Sequence, residues 1–365
     1  MPSSALRQAF SARIVAWQTT HGRQGLPWQN SRNPYAVWLS EIMLQQTQVS
    51  TVLVYFPRFL ARFPDVASLA AASQEEVLGL WSGLGYYSRA RHLHACAQAI
   101  MAAHGGQFPQ KAEVLQTLPG IGRSTAAAIA SFCFDERVSI LDGNVKRVLT
   151  RVLGFSDDLA QAANERRLWQ QAEALLPPPE RAHDMPRHTQ ALMDLGALVC
   201  RVRQPDCAAC PLQNLCHAQQ SGQPEKWPVR TKKLQRKSES WWLLWLANER
   251  GEVWLQTRPQ KGIWAGLSCL PVLPSREALI ETVSTALAVS LPMEEMAAFK
   301  HVLTHRDLYL HPVKIQLKTA EMKDLDALPG QWFDAARWTP LGLPTPIRQL
   351  LGSGLAQPQV PLVAV

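Results

Sequence analysis

The chain has 365 residues, 47% of them apolar, with a formal net charge of +8 and a pI near 9.3. That length exceeds one ordinary domain and the apolar content can fill more than one core, so two globular domains are expected. No apolar run is long enough to cross a membrane. The apolar stretches near Arg7 and Arg13 are too short for a secretory signal, although the absence of any acid before Glu41 superficially suits a transit peptide. The positive balance favours a polyanionic partner without identifying one. Of seven cysteines, four fall between Cys200 and Cys216, whereas Cys96, Cys133 and Cys269 sit singly in apolar surroundings, as buried thiols do. A reducing cytoplasm is the expected compartment.

In chain order, residues 1–220 read as helical. Val37–Leu44 is an apolar helical run containing Glu41, and Ala/Leu/Val-rich stretches follow at Glu75–Leu80, Ala90–Ala103 and Leu168–Leu176, separated by Gly, Pro and Asn clusters. Within this region Leu118-Pro119-Gly120-Ile121-Gly122 joins a helix ending near Leu118 to one running from about Ser124 to Phe134. Residues 221–240 carry six basic side chains and little to bury, and read as a linker. Beyond it, Trp241–Ala247, Val253–Thr257 and Leu308–Leu317 read as strands and Glu277–Leu287 as a helix, so a smaller α+β domain is expected over 241–355. No internal repeat is visible.

The glycines of the Leu118–Gly122 turn permit positive φ, and the helix after it offers N–H groups to a phosphate, although in isolation such a turn also serves as a plain connection. Twenty residues past Gly122, Asp142 stands where a new helix begins, in Ile140-Leu141-Asp142-Gly143-Asn144-Val145-Lys146-Arg147. There it can be an N-cap. A helix N-terminus also keeps a carboxylate ionised, which suits a group that stabilises or attacks a cationic sugar. Glu41, among apolar neighbours, is desolvated, and a raised pKa makes it a proton donor. Cleaving a purine N-glycosidic bond needs both: a proton on the departing base and negative charge beneath the oxocarbenium ion.

Cys200, Cys207, Cys210 and Cys216 are spaced C-x6-C-x2-C-x5-C. Four thiolates so close can converge on one inorganic centre. A single close pair flanked by wider gaps favours iron–sulfur over zinc, whose ligands usually come as two knuckles.

This spacing after a helix resembles the cluster loop of the endonuclease III-like glycosylases of the helix-hairpin-helix superfamily. Leu26-Pro27-Trp28-Gln29, Pro34-Tyr35, Ser40-Glu41-Ile42-Met43-Leu44-Gln45-Gln46-Thr47-Gln48, Gly83-Leu84-Gly85-Tyr86-Tyr87 and Leu141-Asp142-Gly143-Asn144 narrow the likeness to adenine DNA glycosylases, over nearly all of residues 10–217. The resemblance implies a mainly α helix-hairpin-helix glycosylase domain with a [4Fe-4S] loop at 200–216, the cluster being structural and DNA-associated. It implies that Glu41 protonates adenine at N7, Asp142 stabilises or traps the sugar cation and Asn144 supports the pair. Gly120, Gly122 and Ser124 would lie on the DNA, Gln46 and Thr47 on the orphaned guanine, and Gln46, Leu84 and Tyr86 in the duplex as a wedge, while Arg89 and Arg91 could hold phosphates. Trp81 and Tyr87 read better as core. Leu26, Trp28, Val49, Gln190 and Met193 would form the adenine pocket, although Gln190 could also be an exposed helix residue.

Relatives that also cut the backbone carry a lysine just after the hairpin; here Arg123, Ser124 and Thr125 follow, so the implied reaction stops at an abasic site. In the second domain, Gly262–Pro271 looks like the start of a Nudix-like fold. Lys300–Arg306 resembles the family's lesion-reading loop, with Leu303-Thr304-His305 where Phe-Ser-His is frequent, leaving Thr304 and His305 as lesion contacts. Arg276–Val283 lacks the paired glutamates of a magnesium-dependent Nudix hydrolase. The implied partner is double-stranded DNA with an adenine:8-oxoguanine mispair, or adenine opposite guanine, bound by a monomer in the cytoplasm at the nucleoid. Weighed against this are a thymine-damage glycosylase with lyase activity, a Nudix hydrolase with an accessory domain, and a non-catalytic DNA-binding redox sensor.

Overall fold

The structure is a computed structural model that describes residues 2–29, 31–231, 235–287, 291–318, 325 and 328–353. The chain forms two compact units, Met1–Ala71 with His92–Lys233, and Ala72–Arg91 with Leu234–Val365. The expected architecture, a helical domain followed by a smaller α+β domain, is what the chain adopts.

The first unit is helical: α1 (Ser4–His21), α2 (Pro34–Leu44), α3 (Val49–Arg62) and α4 (Val66–Ala71), then, after a passage through the second unit, most of α6 (Ser88–His104), α7 (Ala112–Leu115), α8 (Arg123–Phe134), α9 (Gly143–Leu153), α10 (Ala162–Glu173), α11 (Met185–Asp194) and α12 (His217–Gln220). Local chemistry starts and stops them. Asn33 Oδ1 caps α2 by accepting from Tyr35 N at 2.9 Å, with Pro34 at the first helical position. Tyr35 Oη then donates to Phe63 O at 2.7 Å, tying the start of α2 to the end of α3. α9 ends at Gly154, φ +62°, where a side chain is excluded twice over because a Cβ would meet the His217 ring at 2.4 Å. The core joins Phe10, Ile14 and Trp17 of α1 to Val145, Val148 and Leu149 of α9 and to Ala191 and Leu192 of α11. A π turn, Leu195–Val199, continues α11 and brings Gly196 against Asn144.

The second unit combines α5 (Gln74–Trp81), the first turn of α6, and a sheet of β1 (Lys237–Asn248), β2 (Val253–Thr257), β3 (Ser268–Cys269), β4 (Val272–Leu273), β5 (Glu294–Glu295), β6 (Phe299–Val302), β7 (Arg306–Leu317) and β8 (Gln331–Phe333). Among the described residues the main order is β3-β2-β1-β7-β5, with β4 on β1, β6 on β7 and β8 on β2. β1 and β7 pair in parallel from Lys237↔Arg306 to Asn248↔Leu317, and the other pairs are antiparallel. α13 (Arg276–Leu287), α14 (Ala335–Trp338) and α15 (Thr345–Ser353) complete it. Leu279 and Val283 of α13 pack with Leu244, Leu246, Val313 and Ile315 of the sheet.

Two expected boundaries differ. Residues 221–231, read as linker, pack on the first unit: Leu159 N donates to Val229 O at 3.2 Å, Thr231 bonds Asp158, and Trp227 meets His217 edge-on with centroids 5.5 Å apart. The half-buried Trp227 and Val229 supply an apolar hold that the basic composition concealed. β1 begins at Lys237, ahead of Trp241, because β7 offers a partner for each added residue. Residues 232–234 and 354–355, within the expected linker and second domain, lie outside the described residues.

A methyl group at Gly196 would sit 2.7 Å from Asn144 Cβ, with backbone of α9 behind it. Gly196→Ala is therefore expected to destabilise the protein by about 1–3 kcal/mol, the usual cost of overpacking. It should appear as a lowered denaturant midpoint with unchanged slope.

Candidate active site and cysteine pocket

A cavity of about 570 Å³, a size that suits a nucleobase with its sugar, lies within the first unit. The run Val37–Met43 buries its apolar side chains in the helical core, which leaves Glu41 to open onto this cavity. Burial, and second the charge of Asp142, push the Glu41 carboxyl up to about 8, so it holds its proton at neutral pH. Asp142 caps α9, accepting from Val145 N at 2.8 Å. It is both an N-cap and a charge that acts on Glu41, so the two sequence readings are not exclusive.

Leu26, Trp28, Val49, Gln190 and Met193 all line the same cavity. Trp28 is buried and stands edge-on to Phe56, with centroids 5.4 Å apart. Gln190 is not on an exposed helix face. Its Nε2 donates to Asp194 Oδ1 at 2.8 Å, and the fully buried Asp194 also accepts from Arg23 Nε at 2.7 Å and Arg23 N at 2.9 Å. That bond uses one of the two amide hydrogens and sets the orientation of the Gln190 side chain, whose carbonyl oxygen is its acceptor. Sequence reading missed Arg23 and Asp194 because 171 residues separate them and neither belongs to a local motif.

The hairpin has the conformation its glycines permit. Gly120 has φ +75°, and a Cβ there would meet His92 Cβ at 2.5 Å, whereas Gly122 caps α8 without a side-chain hydrogen bond and faces open space. Ser124 Oγ accepts from Leu141 N at 3.1 Å, which fastens α8 to the residue before Asp142. Asn144 Oδ1 accepts from Arg147 Nη2 at 2.7 Å. That buried guanidinium also reaches Gly196 O at 2.6 Å and Cys200 O at 2.7 Å, so it links the Asp142 turn to the cysteine loop. Lys146 is paired with Glu165 at 2.8 Å.

Gln46, with φ +56°, is exposed in the turn after α2, with Thr47 beside it. In the second unit Tyr86 is 44% exposed and lies in the left-handed region at φ +48°, but Leu84 is 6% exposed and packed inward, unlike the protruding wedge expected. Tyr87 and Trp81 are buried, as read. Arg89 and Arg91 correct an expectation: neither is offered to phosphate. Arg89 is buried across the Trp81 and Tyr86 rings and donates to Leu84 O and Gly85 O, and Arg91 donates to Ala265 O at 2.6 Å. Thr304 and His305 are exposed at the tip between β6 and β7, and Thr304 Oγ1 lies 3.1 Å from Tyr86 Oη.

Cys200, Cys207, Cys210 and Cys216 line one mostly apolar pocket with Val148, Arg151 and Leu195. Among the described residues no three His, Cys, Asp or Glu side chains are grouped as a site for a single metal ion. Burial and, after it, mutual repulsion push Cys207, Cys210 and Cys216 up, Cys210 to about 12. Arg151, 2% exposed, donates to Cys200 Sγ at 3.3 Å, Arg201 O at 2.6 Å and Val202 O at 3.0 Å.

Residues 39–174 match the HhH-GPD superfamily of base excision DNA repair proteins, and residues 242–353 match the NUDIX domain. The adenine DNA glycosylase of Buchnera aphidicola subsp. Acyrthosiphon pisum (strain APS) is 36% identical over 344 residues, 94% of this chain and 96% of that protein. That of Mus musculus is 46% identical over 221 residues, 58% of this chain and 42% of that protein. Among solved structures a thermostable thymine-DNA glycosylase is 26% identical, with a TM-score of 0.52, covering 60% of this chain and 98% of that one. A cavity lined by a protonated carboxyl that feels the charge of a helix-capping aspartate, in a chain with a hairpin-bearing helical unit and a Nudix-like one, agrees with these likenesses, and the chain belongs to the adenine DNA glycosylase family of base-excision enzymes that hydrolyse N-glycosyl bonds.

Proposed function

We propose that this chain excises adenine paired with 8-oxoguanine, and with guanine, from duplex DNA, leaving an abasic site. The observation that carries the reading is Glu41: a carboxyl held protonated at neutral pH on the wall of a base-sized cavity, with Asp142 near enough to add to the shift. Protonating the extruded adenine at N7 withdraws electrons from the glycosidic bond; N9 leaves with the bonding pair, and Asp142 balances the sugar cation until water adds at C1′ and gives its proton to the Glu41 carboxylate. Gln190 accepts from the exocyclic amine, Asn144 steadies the Asp142 turn, and the hairpin around Gly120 and Gly122, with Ser124 behind it, receives a phosphate. Gln46 and Thr47 face the orphaned guanine, while Tyr86, Thr304 and His305 read the lesion. The chain acts as a monomer.

With Arg123, Ser124 and Thr125 after the hairpin, no amine is supplied there for a Schiff base, so the reaction ends in hydrolysis. An end-labelled duplex with adenine opposite 8-oxoguanine is therefore expected to break at the adenine mainly after hot alkali. Efficient scission without alkali overturns the monofunctional reading.

Glu41 sets the pH profile. Single-turnover excision should hold below about pH 8 and fall about tenfold per unit above it, because only the protonated acid donates. Glu41→Gln should keep duplex affinity and lose excision by at least about 10²-fold. Linkage adds an independent sign. A carboxyl raised from 4.5 to about 8 must take up a proton on folding, so its contribution to stability is largest below pH 4.5 and is lost as pH rises through 8. Glu41→Gln should accordingly raise Tm above pH 8, and an unchanged Tm there means the carboxyl titrates normally.

Cys200, Cys207, Cys210 and Cys216 would hold a [4Fe-4S] cluster. When bound, such a cluster cross-links the 200–216 loop and takes no part in glycosidic cleavage. Protein purified without oxygen is expected to be brown, with about four irons per chain and broad absorbance near roughly 400 nm. Colourless protein with one zinc refutes the assignment.

Lesion choice is assigned to the tip between β6 and β7, where Thr304 and His305 are exposed. His305→Ala should reduce the preference for 8-oxoguanine over guanine opposite the adenine, with little change on the adenine:guanine duplex at fixed salt. Equal losses on both duplexes would mean the tip adds affinity only.

A further inference from the structure

The segment Ala72–Arg91 belongs by its contacts to the carboxy-terminal unit, although helices of the glycosylase unit flank it in sequence. Its 82–87 loop is conformationally demanding: Gly83, Gly85 and Tyr86 all have positive φ, +102°, +70° and +48°. Glycine tolerates this, but a tyrosine there is strained and stays only where its surroundings over-determine it. Within the loop, Trp81 Nε1 donates to Gly85 O at 3.2 Å.

Arg89 donates to Leu84 O and Gly85 O, and a further set of bonds reaches the loop from residues 339–348. Arg348 donates from Nε and Nη2 to Ser82 Oγ at 3.3 and 3.1 Å, and the same guanidinium donates to Thr339 O at 2.8 Å and Leu341 O at 2.6 Å. Ser82 Oγ in turn donates to Leu343 O at 3.3 Å, and Tyr87 Oη to that oxygen at 2.9 Å. Backbones touch beside these bonds. A Cβ on Gly79 would lie 2.2 Å from Pro340 O, and one on Gly342 would lie 2.8 Å from Leu78 Cβ.

We propose that Arg348 and the 339–343 turn form a clamp that sets the shape of the 82–87 loop, so that the carboxy-terminal domain positions the side chain inserted into DNA as well as reading the lesion. The proposal rests on the reading of Tyr86 as that inserted side chain. Arg348 and Ser82 are positioning residues, and their effect precedes chemistry. Loss of the clamp slows extrusion of the adenine whichever base lies opposite, whereas loss of a lesion contact acts on one substrate only.

The test uses full-length Ser82→Ala, Arg348→Ala, Arg348→Lys and Tyr86→Ala proteins. Extrusion is followed by stopped-flow fluorescence of 2-aminopurine placed at the target adenine, opposite guanine and opposite 8-oxoguanine, with single-turnover excision and Tm measured alongside. Ser82→Ala and Arg348→Ala are expected to slow extrusion by about tenfold on both duplexes with Tm nearly unchanged, and Arg348→Lys, which keeps a donor toward Ser82, to recover part of it. If Arg348→Ala lowers Tm sharply, the small Ser82→Ala change carries the test. Slow extrusion by Tyr86→Ala with wild-type rates for both clamp variants overturns the clamp and leaves the wedge standing. Wild-type extrusion by Tyr86→Ala removes the wedge reading, and the clamp proposal with it.

Discussion

A carboxyl group that keeps its proton in neutral solution has to be taken away from water, and the layout of the first unit follows from doing so at Glu41. The apolar neighbours on α2 bury the helix, and only the wall of the cavity is left for the acid. Asp142 reinforces the shift from the start of α9, which requires two helices a hundred residues apart in sequence to meet. α2 packs on α8, and Ser124 of α8 accepts from Leu141 N just ahead of Asp142, while at Gly196 a side chain would push Asn144 away. The two carboxyl groups thus differ because one is desolvated while the other caps a helix, a division of labour made by environment and not by residue type.

Buried arginines carry the connection from there to the cysteine loop. Desolvating a guanidinium is costly unless its donors are met. Arg147 meets them at Asn144, Gly196 and Cys200, and Arg151 at Cys200, Arg201, Val202 and Trp227. Both lie on α9, whose first turn carries Asp142. The cysteine loop and the 221–231 segment are therefore both tied to the helix that Asp142 caps.

In the second unit the cations expected on phosphate turn inward. Arg89 and Arg91 satisfy loop and domain carbonyls, and Arg348 does the same from the far end of the chain. The 82–87 loop has three positive φ values, and donors that reach in from outside are part of its scaffold. The Nudix-like sheet thereby supports a segment of the glycosylase sequence as well as its own tip at Thr304 and His305.

The sequence by itself determined the elements and the chemical groups. Apolar periodicity located α2, α5, α6, α8 and α13; apolar runs located β1 and β2 and alternation β7; and the Gly120–Gly122 turn announced a hairpin, because all of these are short-range signals. The apolar context of Glu41 was enough to give the direction of its pKa. Tertiary structure decided what depends on distant partners: that Asp194 orients Gln190 from beside Arg23, that Leu84 packs inward while Tyr86 projects, that the basic 221–231 stretch is held down by Trp227, and that Ala72–Arg91 joins the second unit. A hydrogen bond between residues 171 or 266 positions apart leaves no local pattern, since either side chain alone is compatible with an exposed surface until the fold brings the other to it.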